Sequence, residues 1–333
     1  MKRVHARRRG FTLVEVITVV GVILVVLGLA LPAVQAARES ARRAQCLSNL
    51  HQLGVALQGY HDSFLCFPRG FMGGVFRPAY LYLGFYSIHS RMLPYLDQTA
   101  IYDSINFALG ASPRPFSPIE EAGNAANLTT LNTSISLFLC PTDGGPFSGS
   151  GVNYRGNVGV GPINWNSVEF PDSNNGLFPE SGLVRAAYVP DGLSHTAALS
   201  ERLRGSAGDE ALDPDRDFWP SHGYVATADG QLKLCSIEAR GGSKGGFTSA
   251  GDHWLWSGRE RTLYCHGQSP NGRVPDCLDL NIVTALGMTT ARSSHPGGVN
   301  LLMGDGSCRW VGSSIDQAVW RGLGTRNGGE LVE

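Results

Sequence analysis

The chain has 333 residues, of which 42% are hydrophobic and 17% are charged, so it can form a sizeable core and is not a disordered polyelectrolyte. The net charge of −1 is unevenly distributed, because the first ten residues hold five basic and no acidic side chains. The other 22 basic and 28 acidic residues give the remainder a net charge of −6. This mildly acidic balance excludes nucleic acid as the expected partner.

An apolar segment follows the basic leader. Phe11–Leu31 is 21 residues long, reads FTLVEVITVVGVILVVLGLAL and carries a single charge, on Glu15. About 20 apolar residues are enough for a helix to cross a bilayer. Because basic flanks stay cytoplasmic, we expect the rest of the chain on the far side of the membrane. The two simplest interpretations are a plain anchor and a signal peptide cleaved near Ala36.

Gly10, Phe11 and Glu15 favour a third interpretation. A carboxylate in a membrane span costs roughly 2.5–3.5 kcal/mol on insertion scales, so Glu15 needs a partner. Cleavage after Gly10 creates an α-amine at Phe11, one helical turn away, and this amine or that of a neighbouring subunit can pair with Glu15. The string RGFTLVE at residues 9–15 resembles the cleavage and methylation motif of type IV prepilins and type II secretion pseudopilins. The resemblance implies cleavage after Gly10, methylation of Phe11 and subunit docking by Glu15.

The helix is predicted to continue beyond the span. Helix formers dominate residues 36–44, and proline is absent from 33 to 60. Apolar residues recur every three to four positions and predict one buried face: Leu47, Leu50, Leu53 or Gly54, Leu57 and Tyr60. The predicted polar face comprises Arg43, Gln45, Asn49 and Gln52. We therefore expect a helix of about 50 residues whose second half packs on a sheet.

The pattern changes after residue 62, where glycine and proline interrupt the chain every few residues. The predicted strands are Tyr80–Ser87, Ser136–Leu139, Val184–Val189, Thr196–Ser200, Gly223–Ala226, Asn300–Met303 and Cys308–Val311, with one helix at Leu93–Ile105. The predicted regions are a prepilin leader at 1–10, a transmembrane helix at 11–32, its amphipathic continuation at 33–62 and a β-rich globular domain at 63–333. The predicted fold class is α+β, with a pilin-type helix on an antiparallel sheet and a large β-rich body.

Several segments extend a resemblance over most of the chain. They are QCLSNL at 45–50, LPYL at 93–96, FLCPTD at 138–143, NYRGN at 153–157, DGLSHT at 191–196 and HPGG at 295–298. Together they resemble a family of large pilin-like proteins, domain of unknown function 1559, also described as solute-binding-protein-like. The C-terminal signature of that family, a histidine, nine residues and Asp-Gly, fits His295, Asp305 and Gly306. The resemblance implies a type of protein and no particular activity.

The signature has a structural and a functional interpretation. Two apolar runs flank the GDGS sequence at 304–307, which is typical of a hairpin turn. We therefore expect Asp305 and Gly306 to form a turn and His295 to be a satisfied loop histidine. In the alternative, His295 and Asp305 form a site. A calcium ion held by Asp143 with Asp191 or Asp305 is a further alternative, but no calcium spacing is present, so we expect no metal and no cofactor.

Seven cysteines are present, and none belongs to a Cys-x-x-Cys pair. Cys46 lies on the predicted helix and Cys140 follows a predicted strand, so the two meet if the helix packs on the sheet. We predict a disulfide there if the body is exported, with two buried thiols as the alternative. Cys265 and Cys277 bracket a polar loop and form the second candidate pair.

The sequence contains no serine-hydrolase, metalloprotease or phosphate-loop motif, and we expect no enzyme. We expect a pilin-like or pseudopilin-like structural protein with one span in the inner membrane and a periplasmic or extracellular C-terminal domain. Its expected partners are the lipid bilayer, prepilin peptidase and other pilin-like subunits. The alternative is a membrane-tethered module that binds a solute or carbohydrate, with the aromatic residues of 80–82 and 253–256 stacking on sugars.

Overall fold

A computed structural model of the chain describes residues 12–76, 81–109, 118–145, 150–162, 174–179, 182–208, 211–223, 225–241, 245–279 and 287–329. The chain divides into two compact units, Met1–Ala44 and Gln45–Glu333. The helices are α1 (Leu13–Phe64), α2 (Ile88–Met92), α3 (Thr99–Asp103), α4 (Pro118–Leu131), α5 (Ala228–Arg240) and α6 (Gln317–Gly324). The strands are β1 (Met72–Phe76), β2 (Leu81–Tyr86), β3 (Tyr154–Asn157), β4 (Ala197–Glu201), β5 (Trp219–Ser221), β6 (Leu263–Tyr264), β7 (Cys277–Asp279), β8 (Gly287–Met288), β9 (Gly298–Met303) and β10 (Cys308–Gly312). The predicted α+β class is confirmed.

The long helix α1 has 52 residues and contains Pro32, which confirms the expected length. Its part within the second unit buries one face at the expected spacing: Cys46, Asn49, Leu50, Leu53, Gly54, Ala56 and Leu57. Two assignments on this face were wrong. Leu47 is 39% exposed, whereas Asn49 is buried because its amide donates to the backbone oxygen of Leu139 at 3.0 Å.

A five-stranded sheet forms the centre of the second unit, in the order β10-β9-β4-β3-β6. Neighbouring strands are antiparallel except for β3 and β6, which are parallel. A second sheet has the order β5-β7-β8, and β1 pairs with β2 as a separate hairpin. The antiparallel sheet predicted from the sequence is therefore a mixed one, because β5 also pairs with β7 in parallel.

The largest core lies between α1 and the five-stranded sheet. Leu50, Leu53 and Leu57 of the helix belong to the same buried cluster as Leu199 of β4 and Leu302 of β9. Aromatic side chains fill the remainder of this cluster: Phe67, Tyr86, Phe138, Tyr154, Phe178 and Trp254. Burial of a leucine side chain contributes about 1.5–3 kcal/mol relative to its exposure, so this interface holds the second half of α1 in place.

The structure confirms the predicted strands at 80–87 and 196–200 and the hairpin formed by 300–303 and 308–311. Ser136–Leu139 and Val184–Val189 were wrong, because each contains a 3₁₀ turn. Gly223–Ala226 forms no strand among its described residues. These apolar runs are too short for their period to distinguish a strand from a turn.

The predicted helix at Leu93–Ile105 was also wrong as a single element. A 3₁₀ turn at Leu93–Tyr95 is separated from α3 by Asp97, whose φ of 56° lies in the left-handed region and interrupts a helix. Helices α4 and α5, which are 14 and 13 residues long, were not predicted from the sequence. Thr227 caps α5 by accepting a hydrogen bond from the Gly230 backbone at 3.2 Å, a local signal that was available in the sequence.

Candidate functional site

The N-terminal half of α1 has the surface of a membrane-spanning helix. Every large apolar side chain from Leu13 to Leu31 is exposed, and an 18-residue window of the helix has a mean hydropathy of 2.8 with no residue buried. Apolar surface of this extent is unfavourable in water and favourable in a bilayer core. Gly10 and Phe11, the predicted cleavage and methylation residues, lie outside the described residues.

Glu15 has a partner within its own helix. Its carboxylate accepts hydrogen bonds from the backbone N–H and the hydroxyl of Thr12, both at 2.8 Å, and the Thr12 hydroxyl accepts from the Glu15 N–H at 3.3 Å. This reciprocal pair is a capping box, which the sequence Thr-x-x-Glu at 12–15 indicates but which was not predicted above. Glu15 therefore has a local structural role in addition to the predicted docking role.

Asp305 and Gly306 form the turn between β9 and β10. The Asp305 carboxylate accepts from the backbone N–H of Ser307 at 2.9 Å and from its hydroxyl at 2.7 Å. Gly306 has a φ of 89°, a conformation that glycine adopts without steric cost. The turn supports the interpretation of these two signature residues as structural.

The same turn contacts helix α1. A Cβ atom at Gly54 would lie 3.1 Å from the backbone oxygen of Gly306 and 2.8 Å from Cδ1 of Leu302, so only glycine permits this approach without displacement. The Gln58 amide donates to the backbone oxygen of Gly304 at 2.6 Å. Gly306 of the signature and the neighbouring Gly304 thus contact the helix.

His295 has different surroundings. It is 2% exposed, and its Nε2 atom lies 3.5 Å from Glu201 Oε1 and 3.5 Å from Cys140 Sγ. Cys140 forms a disulfide with Cys46. The signature histidine, the predicted cysteine pair and Glu201 therefore form one buried cluster, and the sequence analysis gave no role to Glu201.

A network of arginines and carboxylates lies beside this cluster. Asp143 is 5% exposed and accepts from Arg216 Nη1 at 2.6 Å, from the backbone N–H of Arg204 at 2.9 Å and from Asn153 Nδ2 at 2.6 Å. Burial raises the pKa of Asp143, but Arg216 and these hydrogen bonds outweigh burial and hold the pKa below its usual value. Asp276 pairs with Arg202 at 2.8 Å, and both side chains are fully buried.

The carboxylates considered for calcium have separate partners. Asp143 faces two arginines, and Asp191 accepts from the backbone N–H groups of Gly328 and Gly329 at 2.7 and 3.0 Å. Asp305 holds its own turn. The described residues therefore do not bring these three oxygen donors together as a calcium site requires.

A polar cleft of about 340 Å³ opens next to the network, and its described lining residues are Leu203, Asp213, Asp215, Arg216, Asn271, Ser293 and Ser294. Arg292 Nη1 lies 3.0 Å from Asp215 Oδ1 in the same region. The cleft shares Leu203 and two serines with a narrower crevice that reaches Cys140 and Glu201. Its volume suits a small ligand, and none of these lining residues is aromatic.

The aromatic residues considered for sugar stacking have other contacts. Trp254 is fully buried and donates from Nε1 to the backbone oxygen of Thr133 at 2.8 Å. The guanidinium of Arg261 lies 4.0 Å from the centroid of the Trp256 ring. Tyr80 lies outside the described residues. Trp254 is thus a core residue.

The second disulfide differs from the predicted pair. Cys277 is bonded to Cys235 of α5, and Cys265 is a buried free thiol whose Sγ lies 3.1 Å from Met288 Sδ. Burial raises the pKa of Cys265 to about 12, so this thiol is not reactive. The Cys265–Cys277 prediction was wrong because sequence proximity across a loop does not determine which side chains meet.

The exposed apolar half-helix, its capped start and the β-rich unit define a class, the membrane-anchored, type IV pilin-like proteins. The chain belongs to the family described as a protein of unknown function (DUF1559), whose model matches residues 35–318. A model of the prokaryotic N-terminal methylation motif matches residues 5–31. These matches confirm the resemblance seen in the sequence. No curated protein and no solved structure matches the chain.

Proposed function

We propose that the chain is a structural subunit of a pilin-like or pseudopilin-like assembly and not an enzyme. Prepilin peptidase cuts it after Gly10, the new N-terminus at Phe11 is methylated, and one span holds it in the inner membrane. The observation that carries this proposal is the methylation motif at 5–31, which overlaps the start of helix α1 at Leu13 and its exposed apolar segment.

The two disulfides support a body on the extracytoplasmic side. Cys46–Cys140 and Cys235–Cys277 both lie in the second unit. Disulfides persist in oxidising compartments and are rare in the cytosol. The basic leader predicts the same orientation, since positive residues stay on the cytoplasmic side.

Glu15 is the residue that links the anchor to assembly. In a mature chain its carboxylate and the α-amine of a neighbouring subunit form a charge pair within the apolar phase, where an unpaired charge is costly. The capping bond from Thr12 does not need the negative charge, because a glutamine closes a capping box as well. Substitutions can therefore separate the two roles.

The test compares Glu15→Gln with Thr12→Ala in the producing cell. Glu15→Gln keeps a cap acceptor and loses the charge, whereas Thr12→Ala keeps the charge and loses the hydroxyl. We expect Glu15→Gln to remain in the membrane and to lose cross-linkable oligomers, and Thr12→Ala to retain them. Mass spectrometry of the wild-type N-terminus should give methylated Phe11. Unchanged oligomers in Glu15→Gln, or an intact leader, would refute the proposal.

The polar cleft favours one second candidate, a tethered module that binds a small polar solute. Its pairing of Arg216 and Arg292 with Asp213 and Asp215 suits a zwitterionic or hydroxylated ligand better than a stacked sugar. In that case Glu15→Gln has no consequence, and Asp215→Asn, at a lining residue whose side chain is 67% exposed, weakens ligand binding while leaving the protein in the membrane.

A further inference from the structure

Four potential metal ligands converge at one buried point of the second unit. Cys46 comes from α1, Cys140 follows the 3₁₀ turn at 136–138, Glu201 ends β4 and His295 precedes β9. One ligand atom from each lies within 4.8 Å of the other three, and all four residues are buried. Four different elements of the fold thus supply one donor each.

The glutamate is held in place independently of the sulfur–sulfur bond. Asn300 donates to Glu201 from its backbone N–H at 2.9 Å and from its side-chain amide at 2.8 Å. Hydrogen bonds of this kind orient the carboxylates that bind metals. His295 Nε2 lies 3.5 Å from both the carboxylate and the Cys140 sulfur, so it faces the point where an ion would sit.

We propose that these four residues bind a zinc-class divalent cation when the Cys46–Cys140 disulfide is reduced. Two thiolates, an imidazole and a carboxylate are a donor set that Zn²⁺ takes in tetrahedral geometry. This site is independent of the assembly role proposed above. The disulfide and the metal site are two alternative ways of cross-linking helix α1 to the rest of the second unit.

A dithiol supplies the electrons and protons needed to reduce the Cys46–Cys140 disulfide. The dithiol gives two electrons and two protons to the sulfur–sulfur bond and becomes a disulfide, leaving thiols at Cys46 and Cys140. Binding of the cation then releases both thiol protons, because the ligand is the thiolate. The newly exported chain, whose cysteines are not yet joined, has the same two thiols.

The distances are compatible with closure around an ion. Zn–S bonds of about 2.3 Å and Zn–N or Zn–O bonds of about 2.0–2.2 Å place tetrahedral ligand atoms roughly 3.3–3.8 Å apart. The two sulfurs must separate from bonding distance, and the most distant donors, at up to 4.8 Å, must approach by about 1 Å. The narrow crevice lined by Cys140, Glu201 and Ser293 adjoins the polar cleft but is too narrow to admit a water molecule, so a cation enters only when these side chains move.

The experiment uses the full chain in detergent with Cys235→Ala and Cys277→Ala, which leaves one disulfide. Half of the sample is reduced with a phosphine, desalted without oxygen and titrated with Co²⁺, and the other half stays oxidised. We expect one Co²⁺ per reduced chain, with thiolate-to-cobalt absorption and tetrahedral d–d bands that Zn²⁺ displaces. The oxidised half should show neither. Zn²⁺ should raise the unfolding midpoint of the reduced chain alone.

Matched variants locate the site. His295→Ala should weaken Co²⁺ binding at least ~10-fold, and Cys46→Ser with Cys140→Ser should abolish the thiolate absorption. Asp305→Asn, in the exposed part of the signature, should bind as the parent does. Absorption that survives loss of Cys46 and Cys140, or a reduced parent that binds no cobalt, overturns the proposal.

A measurement on the unsubstituted chain covers the case in which the background variant does not fold. Reduced wild-type protein is alkylated with and without Zn²⁺, and the protected cysteines are identified by mass spectrometry. We expect Cys46 and Cys140 to be protected together. Protection confined to Cys235, Cys265 or Cys277 overturns the proposal.

Discussion

The two halves of helix α1 differ in the burial of their apolar side chains. From Leu13 to Leu31 all large apolar side chains are exposed, whereas from Cys46 to Leu57 the apolar side chains of one face are buried against the body. The first half contains one charged residue before Arg38, and the second has polar residues on its outer face. The first half is rich in β-branched valine and the second in alanine, yet both are helical, so helix propensity does not set their roles. What each half buries its apolar side chains against, lipid or protein, sets its role.

The two halves of α1 also differ in the contacts that each makes outside the helix. The structure attaches the second half to the body by a disulfide at Cys46, by hydrogen bonds from Asn49 and Gln58 and by leucine packing. The first half has hydrogen bonds only within its own helix among the described residues, such as those of Thr12 and Thr18. Substitutions in the second half should therefore change the stability of the body, and matched substitutions in the first should not.

The largest effect is expected from the disulfide. Cys46→Ala with Cys140→Ala removes a cross-link with a sequence separation of 94, and the chain-entropy model gives ~4.7 kcal/mol for a loop near 100 residues. Denaturant unfolding in detergent, followed by tryptophan fluorescence, measures the loss of unfolding free energy. All six tryptophans lie beyond residue 164, so the signal reports on the second unit. Membrane extraction should be unchanged. An unfolding midpoint equal to that of the wild type contradicts the disulfide.

Core truncation comes next. Leu53→Ala removes a fully buried side chain and should lower the free energy of unfolding by about 2–5 kcal/mol. Val55→Ala, two residues away but 61% exposed, should change it by less than ~0.5 kcal/mol, and Leu24→Ala should not change it. The three midpoints, measured in one buffer, are the test. A loss for Val55→Ala as large as that for Leu53→Ala would contradict the assigned face.

Acid should destabilise the body through His89. This residue is fully buried, and burial lowers its pKa to about 4, against 6.5 for the unperturbed group. The unfolded chain takes up a proton below pH 6.5 and the folded chain does so only near pH 4, so stability is complete above pH 6.5 and falls across that interval. The loss is about 3 kcal/mol.

Unfolding curves at half-unit steps of pH check this expectation. His89→Gln keeps a donor for the Tyr154 backbone oxygen, which lies 2.7 Å from His89 Nε2, and should reduce the slope. Some slope should remain, because burial also lowers the pKa of His266, to about 3. The segment 13–44 contains no histidine, so membrane retention should not vary with pH over this range. A slope identical in His89→Gln and wild type excludes the assignment.

The smallest effect is expected from a single methyl group on the helix. Gly54→Ala places a Cβ 3.1 Å from the Gly306 backbone oxygen, and the overpacking cost of about 1–3 kcal/mol exceeds the gain in helix propensity of about 1 kcal/mol. Gly21→Ala, with nothing within 4 Å of the added atom, should leave body stability unchanged. The thermal unfolding midpoints of both variants test this expectation. If Gly54→Ala and Gly21→Ala have the same midpoint, Gly54 of the helix is not packed against the β9–β10 turn.

Short sequence patterns correctly predicted the elements that depend only on residues close in the chain. Hydropathy and heptad-like spacing predict α1, and the GDGS sequence predicts the β9–β10 turn, because both depend on residues close in sequence. Ser136–Leu139 was wrong because a run of three apolar residues fits a 3₁₀ turn as well as a strand. The start of α5 at Thr227 was missed although its cap is visible in the sequence.

The candidate site was only partly predictable because its members are distant in the chain. Cys46, Cys140 and His295 each stand out within a family-like segment, but their approach depends on how four elements pack. Glu201 follows an apolar run and carries no local signal of its own. The Cys235–Cys277 bond likewise depends on α5 packing beside β7, which was not foreseen without α5.

The position of the Cys46–Cys140 bond has a mechanical consequence. Cys46 is the first buried residue of α1 along the chain, so a pull on the anchor enters the body through a covalent link before any leucine contact is strained. Peeling the helix from the sheet would then require breaking a chemical bond, and shear between membrane and body would be carried by the polypeptide itself. A tether built in this way resists detachment under drag even where hydrophobic packing alone would yield.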